Sequence, residues 1–224
     1  TRSSTGCSTG SAAGTPSVAV DADWDLPDLG ALAGADRRVE HPDRDENRSS
    51  LAAARADAVE PQACVLPAPV ESRDRDLRSS LRAIAGAASP SARVLVDCPA
   101  GAAPDAVAPL RVADGALLVT EPCVAALRDA AKTAAVARRV ETPVVGAVVT
   151  QATAVPPGVD DTLGCPVVAR VPPAASAAAA GEAAAHTGGV LACERVASAY
   201  GRAAEALGPA GAGKNPRPNR EKRL

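Results

Sequence analysis

The 224-residue chain has no phenylalanine and no methionine, and only one tryptophan and one tyrosine. A core without large aromatic anchors has to be filled by valine, leucine and alanine, so its elements must approach closely. The length favours one domain with ample interior, and no disulfide or metal is needed to hold it. The missing methionine includes position 1, which predicts that Thr1 is not a translation start and that N-terminal sequence is missing. Cysteine pairs are absent too. Cys7, Cys64, Cys98, Cys123, Cys165 and Cys193 contain no C-x-x-C spacing, and only His41 and His186 could assist them. That pattern argues against a zinc or iron–sulfur centre and against a secreted disulfide framework. No apolar run approaches the ~20 residues of a membrane span, and no secretory signal opens the chain. The expected compartment is the cytoplasm. A net charge of −2 supplies no strong pull toward nucleic acid or membrane. Lysine is scarce: Lys132, Lys214 and Lys222 are the whole set.

What is present becomes regular after an irregular start. Residues 1–16 are small and polar with no periodicity. SVAVD (17–21) predicts a strand, DLPDLGALAG (25–34) a turn leading to a short apolar segment, and residues 36–50 a charged, solvated excursion. CVLPAP (64–69) predicts another strand, and DLRSSLRAIAG (76–86) a helix that Gly86 stops. RVLVD (93–97), GALLVT (115–120), PVVGAVVT (143–150) and CPVVARVP (165–172) then alternate with helical segments. The first of these is the proline-interrupted PDAVAPLRVA (104–113). The clearest spans residues 121–141, with Pro122 in its first turn and an apolar stripe of Val124, Leu127, Ala131 and Ala134. Residues 176–207 are alanine-rich and helical, broken near Gly188–Gly189. Strands that read as continuous apolar runs between helices predict a parallel sheet covered on both faces. The fold class is therefore α/β, a doubly wound, mostly parallel sheet. Its extent is 17–207, between the irregular segment 1–16 and a disordered basic tail over 208–224.

Four of these strands end on Asp21, Asp97, Thr120 and Thr150, and Asp23 lies just beyond the first. Ligands of open parallel sheets bind at the carboxyl ends of strands, which makes one shared rim the expected site. The alternative is that polar residues close strands because loops are wet. A carboxylate at that position can also simply cap the next helix.

VDADWDLPDLG (20–30), VDCPAG (96–101), TEPCVAALRDAAK (120–132) and LGCPVVARVPP (163–173) occur in this order. Over roughly residues 15–190 the chain resembles the MinD/ParA family of deviant Walker A P-loop ATPases, and within it the archaeal MinD-like branch. The resemblance implies ATP and Mg²⁺ as cofactors. It implies Asp97 as the Walker B carboxylate that holds Mg²⁺ through water, and Gly101 as the switch residue that lets the backbone approach phosphate. Asp21 and Asp23 match the first switch, with Asp23 implied to orient the attacking water. Thr150, Gln151 and Pro172 match positions that frame the adenine. Trp24 reads as a packing anchor beside this region.

The family also requires a strand and a lysine-bearing phosphate loop ahead of the DAD strand, because phosphate charge must be met by a fixed cation and donors. No lysine precedes Lys132. TGCSTGS (5–11) is rich in glycine and serine but has no lysine, and it lies too close to Asp21 for a loop and a helix. GPAGAGK (208–214) has a lysine, but Asn215 follows it and Pro216 and Pro218 forbid a helix there. The Walker A segment is thus missing or degenerate. ATP binding and hydrolysis are expected to be impaired, and the neighbours of the lost central strand to expose unpaired edges or close up in another order. The resemblance implies a homodimer, protein partners of a positioning system and a role in organising division or segregation. The alternative is a non-catalytic interaction module on the same fold. KNPRPNREKRL (214–224) carries five basic residues against one acid, enough for weak contact with anionic membrane or nucleic acid but without the apolar face of a membrane-binding helix.

Overall fold

The computed structural model describes residues 16–32, 55–56, 63–69, 75–173 and 194–208. The expectations for residues 1–15, 36–50, 174–193 and the tail beyond 208 lie outside the described residues.

The strands are β1 (Ser17–Asp21), β2 (Arg55–Ala56), β3 (Ala63–Leu66), β4 (Arg93–Asp97), β5 (Ala116–Thr120), β6 (Val144–Val149) and β7 (Val167–Arg170). The helices are α1 (Leu29–Leu32), α2 (Leu77–Ala87), α3 (Pro104–Leu110), α4 (Val124–Arg139), α5 (Val159–Leu163) and α6 (Glu194–Ala206). The chain is α/β and its long strands run parallel, as the alternation of apolar runs with helices predicts. Among the described residues only the two-residue β2 pairs antiparallel, with β3.

The strands form two sheets, ordered β2-β3-β1-β4 and β5-β6-β7. Among the described residues no strand joins β4 to β5, so the sheet is interrupted at its middle. The successive units β3-α2-β4, β4-α3-β5 and β5-α4-β6 all step in one direction. Right-handed crossovers therefore put α2, α3 and α4 on one face, where α2 packs on α3 and α3 on α4. Helix α6 covers β6 and β7 from the other face.

Each half has its own apolar centre. In the first, Leu81 and Ile84 of α2 bury against Val18, Val20, Cys64 and Leu66, with Val94 and Val96 packed alongside. Asp76 caps α2 by accepting the Ser79 amide proton at 3.0 Å. The helix runs through Gly86, and the turn ends at Ala88 with its amide bonded to the Ile84 carbonyl. Gly86 is not its stop.

In the second half, Ala130 and Ala134 of α4 pack with Leu118, Ala147 and Val149 on one face of the sheet. Val196, Ala199 and Ala203 of α6 pack with Val148, Ala169 and Val171 on the other. The helix–sheet contacts rest on alanine, as the lack of aromatics requires. Even between strands space is short: a Cβ on Gly146 would fall 2.5 Å from Val168 Cγ1. The stripe of α4 differs from expectation at its first member. Val124 is 66 % exposed, while Ala130, Ala134 and Ala137 are the buried set. Pro122 lies outside the helix, ahead of the N-cap Cys123.

The halves are tied at the amino-terminal end of the strands. Thr142 Oγ1 donates to the Leu110 carbonyl at 2.5 Å. Arg93 reaches across to the Ala204 carbonyl within α6 and the Gly208 carbonyl just beyond it.

Candidate functional site

Strands β1 and β4 run side by side in register, which sets Asp21 directly opposite Asp97 at their carboxyl ends. The Ala22 amide donates to the Asp97 carbonyl at 2.9 Å and locks this pairing one residue past the strand. Asp21 is 1 % exposed. Its Oδ1 accepts the Asp23 amide proton at 3.2 Å, whereas Oδ2 is buried with no hydrogen-bond partner among the described residues. A buried carboxylate oxygen left without a donor is costly and rare.

The electrostatics carry one sign. Burial, then the facing Asp97, raise the Asp21 carboxyl above its ordinary value, and Asp28 adds to this. The Asp23 and Leu29 amides offset only part of it. Asp97 is raised as well, by burial first and then by Asp28 and Asp23, against the Cys98 amide. Among the described residues no basic side chain offsets the shift of Asp21 or of Asp97. The sequence pattern marked Asp21, Asp23 and Asp97 but passed over Asp28. Its presence in the same loop returning from β1 was the available signal.

The loops after the strands carry the other residues. Asp23 Oδ1 accepts the Leu26 amide proton at 3.0 Å, so one of its oxygens shapes the turn. Trp24 in that turn is half-buried. After β4, Cys98 Sγ donates back to the Val96 carbonyl at 3.3 Å. Desolvation by the surrounding atoms, then Asp97, push this thiol up to about 12 although the residue is solvent-exposed, so it is protonated at neutral pH. Gly101 has φ +111°, and nothing lies within 4 Å of where a Cβ would sit. The backbone here is both restricted to glycine and open to close approach.

The remaining candidates sit on the second sheet. Thr120 and Thr150 are joined: the Thr150 amide and Oγ1 donate to the Thr120 carbonyl at 2.8 and 3.2 Å. Gln151 is exposed and left-handed at φ +52°, an uncommon state for a non-glycine residue. Pro172 lines a cavity of about 270 Å³ with Arg170, Glu194, Arg195, Ser198 and Arg202. The four strand ends expected on one continuous rim are thus brought together as two pairs. Asp21 meets Asp97, Thr120 meets Thr150, and the interruption between β4 and β5 separates them. Among the described residues no group of three or more His, Cys, Asp or Glu side chains is placed to hold a metal ion.

No family profile matches the chain, and no curated protein matches it. Solved structures do. The septum site-determining protein MinD from Pyrococcus horikoshii OT3, complexed with Mg-ADP, is similar at 21 % identity and a TM-score of 0.61, over 86 % of this chain and 83 % of that one. The MinC:MinD cell division protein complex of Aquifex aeolicus is similar at 19 % and 0.64, over 87 % and 84 %. An ATP complex of a Cyanothece McdA variant is similar at 13 % and 0.62, over 87 % and 85 %. At such identities the likeness establishes the fold: this chain has the parallel α/β architecture of the MinD, McdA and ParA ATPases.

Proposed function

We propose that this chain is a cytoplasmic MinD/ParA-type ATPase-family protein that helps to organise division or segregation machinery, with ATP binding and hydrolysis impaired in the polypeptide as it stands. The observation that carries the reading is the Asp21–Asp97 pair, in register at the carboxyl ends of adjacent parallel strands with Asp21 Oδ2 unpartnered. A carboxylate pair that lacks a counter-charge fits a hydrated Mg²⁺. That ion takes one or two carboxylates plus waters and substrate phosphates, not a full protein cage. The same chemistry accounts for the absence of a three-ligand cluster among the described residues. ATP, if held, would supply the remaining ligands through its phosphates. Asp97 would hold the ion through water, Asp23 would orient a water, and Gly101 would pass close to phosphate. Thr150, Gln151 and Pro172 would frame the adenine.

The structural neighbours include a Mg-ADP complex, an ATP complex and an assembly with MinC. By analogy this chain would work as a nucleotide-controlled homodimer with protein partners of a positioning system. Its basic tail would add weak contact with an anionic membrane or nucleoid. The impairment rests on charge: none of the described basic side chains stands beside the carboxylates to meet a phosphate. That same observation favours the second reading, a non-catalytic interaction module that keeps the fold. Calorimetric titration with Mg-ATP, with Asp97→Ala as control, tests the proposal. Weak binding that disappears in the variant is expected. Tight, Asp97-dependent binding would overturn the impairment. Binding that ignores the substitution would overturn the site.

A further inference from the structure

A cavity of about 270 Å³ lies where the end of β7 meets α6, on the outermost strand of the second sheet among the described residues. Arg170 closes β7 and Pro172 lies two residues on, while Glu194, Arg195, Ser198 and Arg202 come from the helix. Residues 195, 198 and 202 share one helix face by their spacing. Each immediately precedes a member of the buried stripe, Val196, Ala199 and Ala203, so the packing of α6 on the sheet sets this polar row along its margin. Pro172 is buried and Arg170 half-buried, whereas Arg195, Ser198 and Arg202 are exposed. The cavity has a closed floor and an open mouth.

Its donors are positioned but little used. Arg170 Nη1 donates to the Ala152 carbonyl at 2.8 Å, which holds the guanidinium in place. Arg202 Nη1 donates to Ser198 Oγ at 3.0 Å, and a hydroxyl that accepts in this way keeps its own proton for another acceptor. Arg195 has no hydrogen bond or ion pair with a described residue, and Glu194, the one carboxylate of the lining, pairs with none of the three arginines. A guanidinium offers five N–H donors, so most of the donors around this cavity are unspent. Like charges gathered there repel one another, and arginine does not shed its proton to relieve the crowding. A bound anion does relieve it.

We propose that this cavity binds the phosphate group of a small phosphomonoester that carries no aromatic base. Three guanidinium groups against one carboxylate leave a net lining charge of +2. A phosphomonoester brings close to two negative charges at neutral pH and three terminal oxygens, which suit planar guanidinium forks and the Ser198 hydroxyl. A carboxylate or a phosphodiester brings a single charge. The volume falls just under the ~300–1,000 Å³ of drug-sized ligand pockets, and Pro172 is the one apolar residue of the lining, so the rest of the ligand is short and polar. This site goes beyond the strand-end reading. Its arginines stand at the outer margin of the second sheet, whereas Asp21 and Asp97 close strands of the first.

Pro172 is the one residue shared with the adenine reading, so the test removes both base and magnesium. The full chain, in nucleotide-free buffer with EDTA at neutral pH and fixed ionic strength, is titrated calorimetrically with glycerol phosphate and, separately, with dimethyl phosphate. Saturable binding of glycerol phosphate, at least about tenfold tighter than that of the diester, is expected. Arg195→Gln and Arg202→Gln change exposed positions, so circular dichroism is unaltered while each weakens binding by about tenfold or more. Glu194→Gln removes the carboxylate and strengthens binding by about threefold or more. Absence of saturable binding, equal affinity for the two esters, indifference to the arginine substitutions, or weaker binding in Glu194→Gln each overturns the proposal. So does a DNA duplex of arbitrary sequence that binds in the same buffer through these arginines while glycerol phosphate does not, since the cluster would then serve a nucleic-acid surface.

Discussion

Asp21 is a group whose charge the fold does not welcome. Its native proton affinity is raised above the ordinary 3.8, by burial and then by Asp97, and Asp97 is raised by burial and by Asp28 and Asp23. The native state therefore holds protons that the unfolded chain has released, in the window from about pH 4 up to the raised native values. Unfolding free energy falls with rising pH wherever the native state binds more protons. The rim carboxylates stabilise least above their raised native values, and the penalty disappears as pH falls below their unfolded values. Asp21→Asn keeps the acceptor for the Asp23 amide and removes one charge. The expected result is a higher thermal midpoint than wild type at pH 7 and a shrinking difference toward pH 4, read by circular dichroism melts at fixed ionic strength. An equal gain at both pH values would mean that repulsion is not the cause. The position of this pair was legible, because VDADWD and RVLVD each place an aspartate at the end of an apolar run. The orphaned oxygen was not. It depends on how the turn over residues 22–28 folds back, and on which of its amides reach Asp21.

Helix α4 shows what an alanine-based interface can and cannot reveal in sequence. Its existence follows from length, composition and the lack of breakers, but its buried face does not. Val124 carries the strongest apolar signal and is 66 % exposed, whereas Ala134 and Ala137 are fully buried. Alanine scores weakly in any periodicity, so a face made of it is chosen by close approach to the sheet, a tertiary property. The buried alanines also limit what the interface tolerates. Ala134 is fully buried in the cluster that holds Leu118, Ala147 and Val149, so Ala134→Leu is expected to cost about 1–3 kcal/mol by overpacking. Val124→Ala should stay within about 0.5 kcal/mol, as exposed substitutions do. Urea denaturation checks both: a lower midpoint with an unchanged slope for the first, and no resolvable change for the second. The strands were easier to read, since β1, β4, β5 and β6 are continuous apolar runs with little room for another assignment.

At the scale of the molecule the interruption divides the stability as well as the sheet. The second half is covered on both faces, by α4 and by α6, and holds two apolar clusters. The described first half has one cluster, under α2, and carries the repelling carboxylates. Among the described residues they are joined by the packing of α3 on α4, the Thr142–Leu110 hydrogen bond and the reach of Arg93 to Ala204 and Gly208. These few contacts contrast with the continuous ladder and layered core that make a single domain unfold in one step. The halves are also separately visible, because the sole tryptophan, Trp24, follows β1 and the longest described helices, α4 and α6, pack on the second sheet. In urea the Trp24 fluorescence transition is expected at a lower midpoint than the helical circular dichroism transition. Arg93→Ala should widen the separation by removing one of the ties. Coincident midpoints in the unaltered chain, unmoved by Arg93→Ala, would show instead that the helix packing and the Thr142 hydrogen bond suffice to make the two halves one cooperative unit.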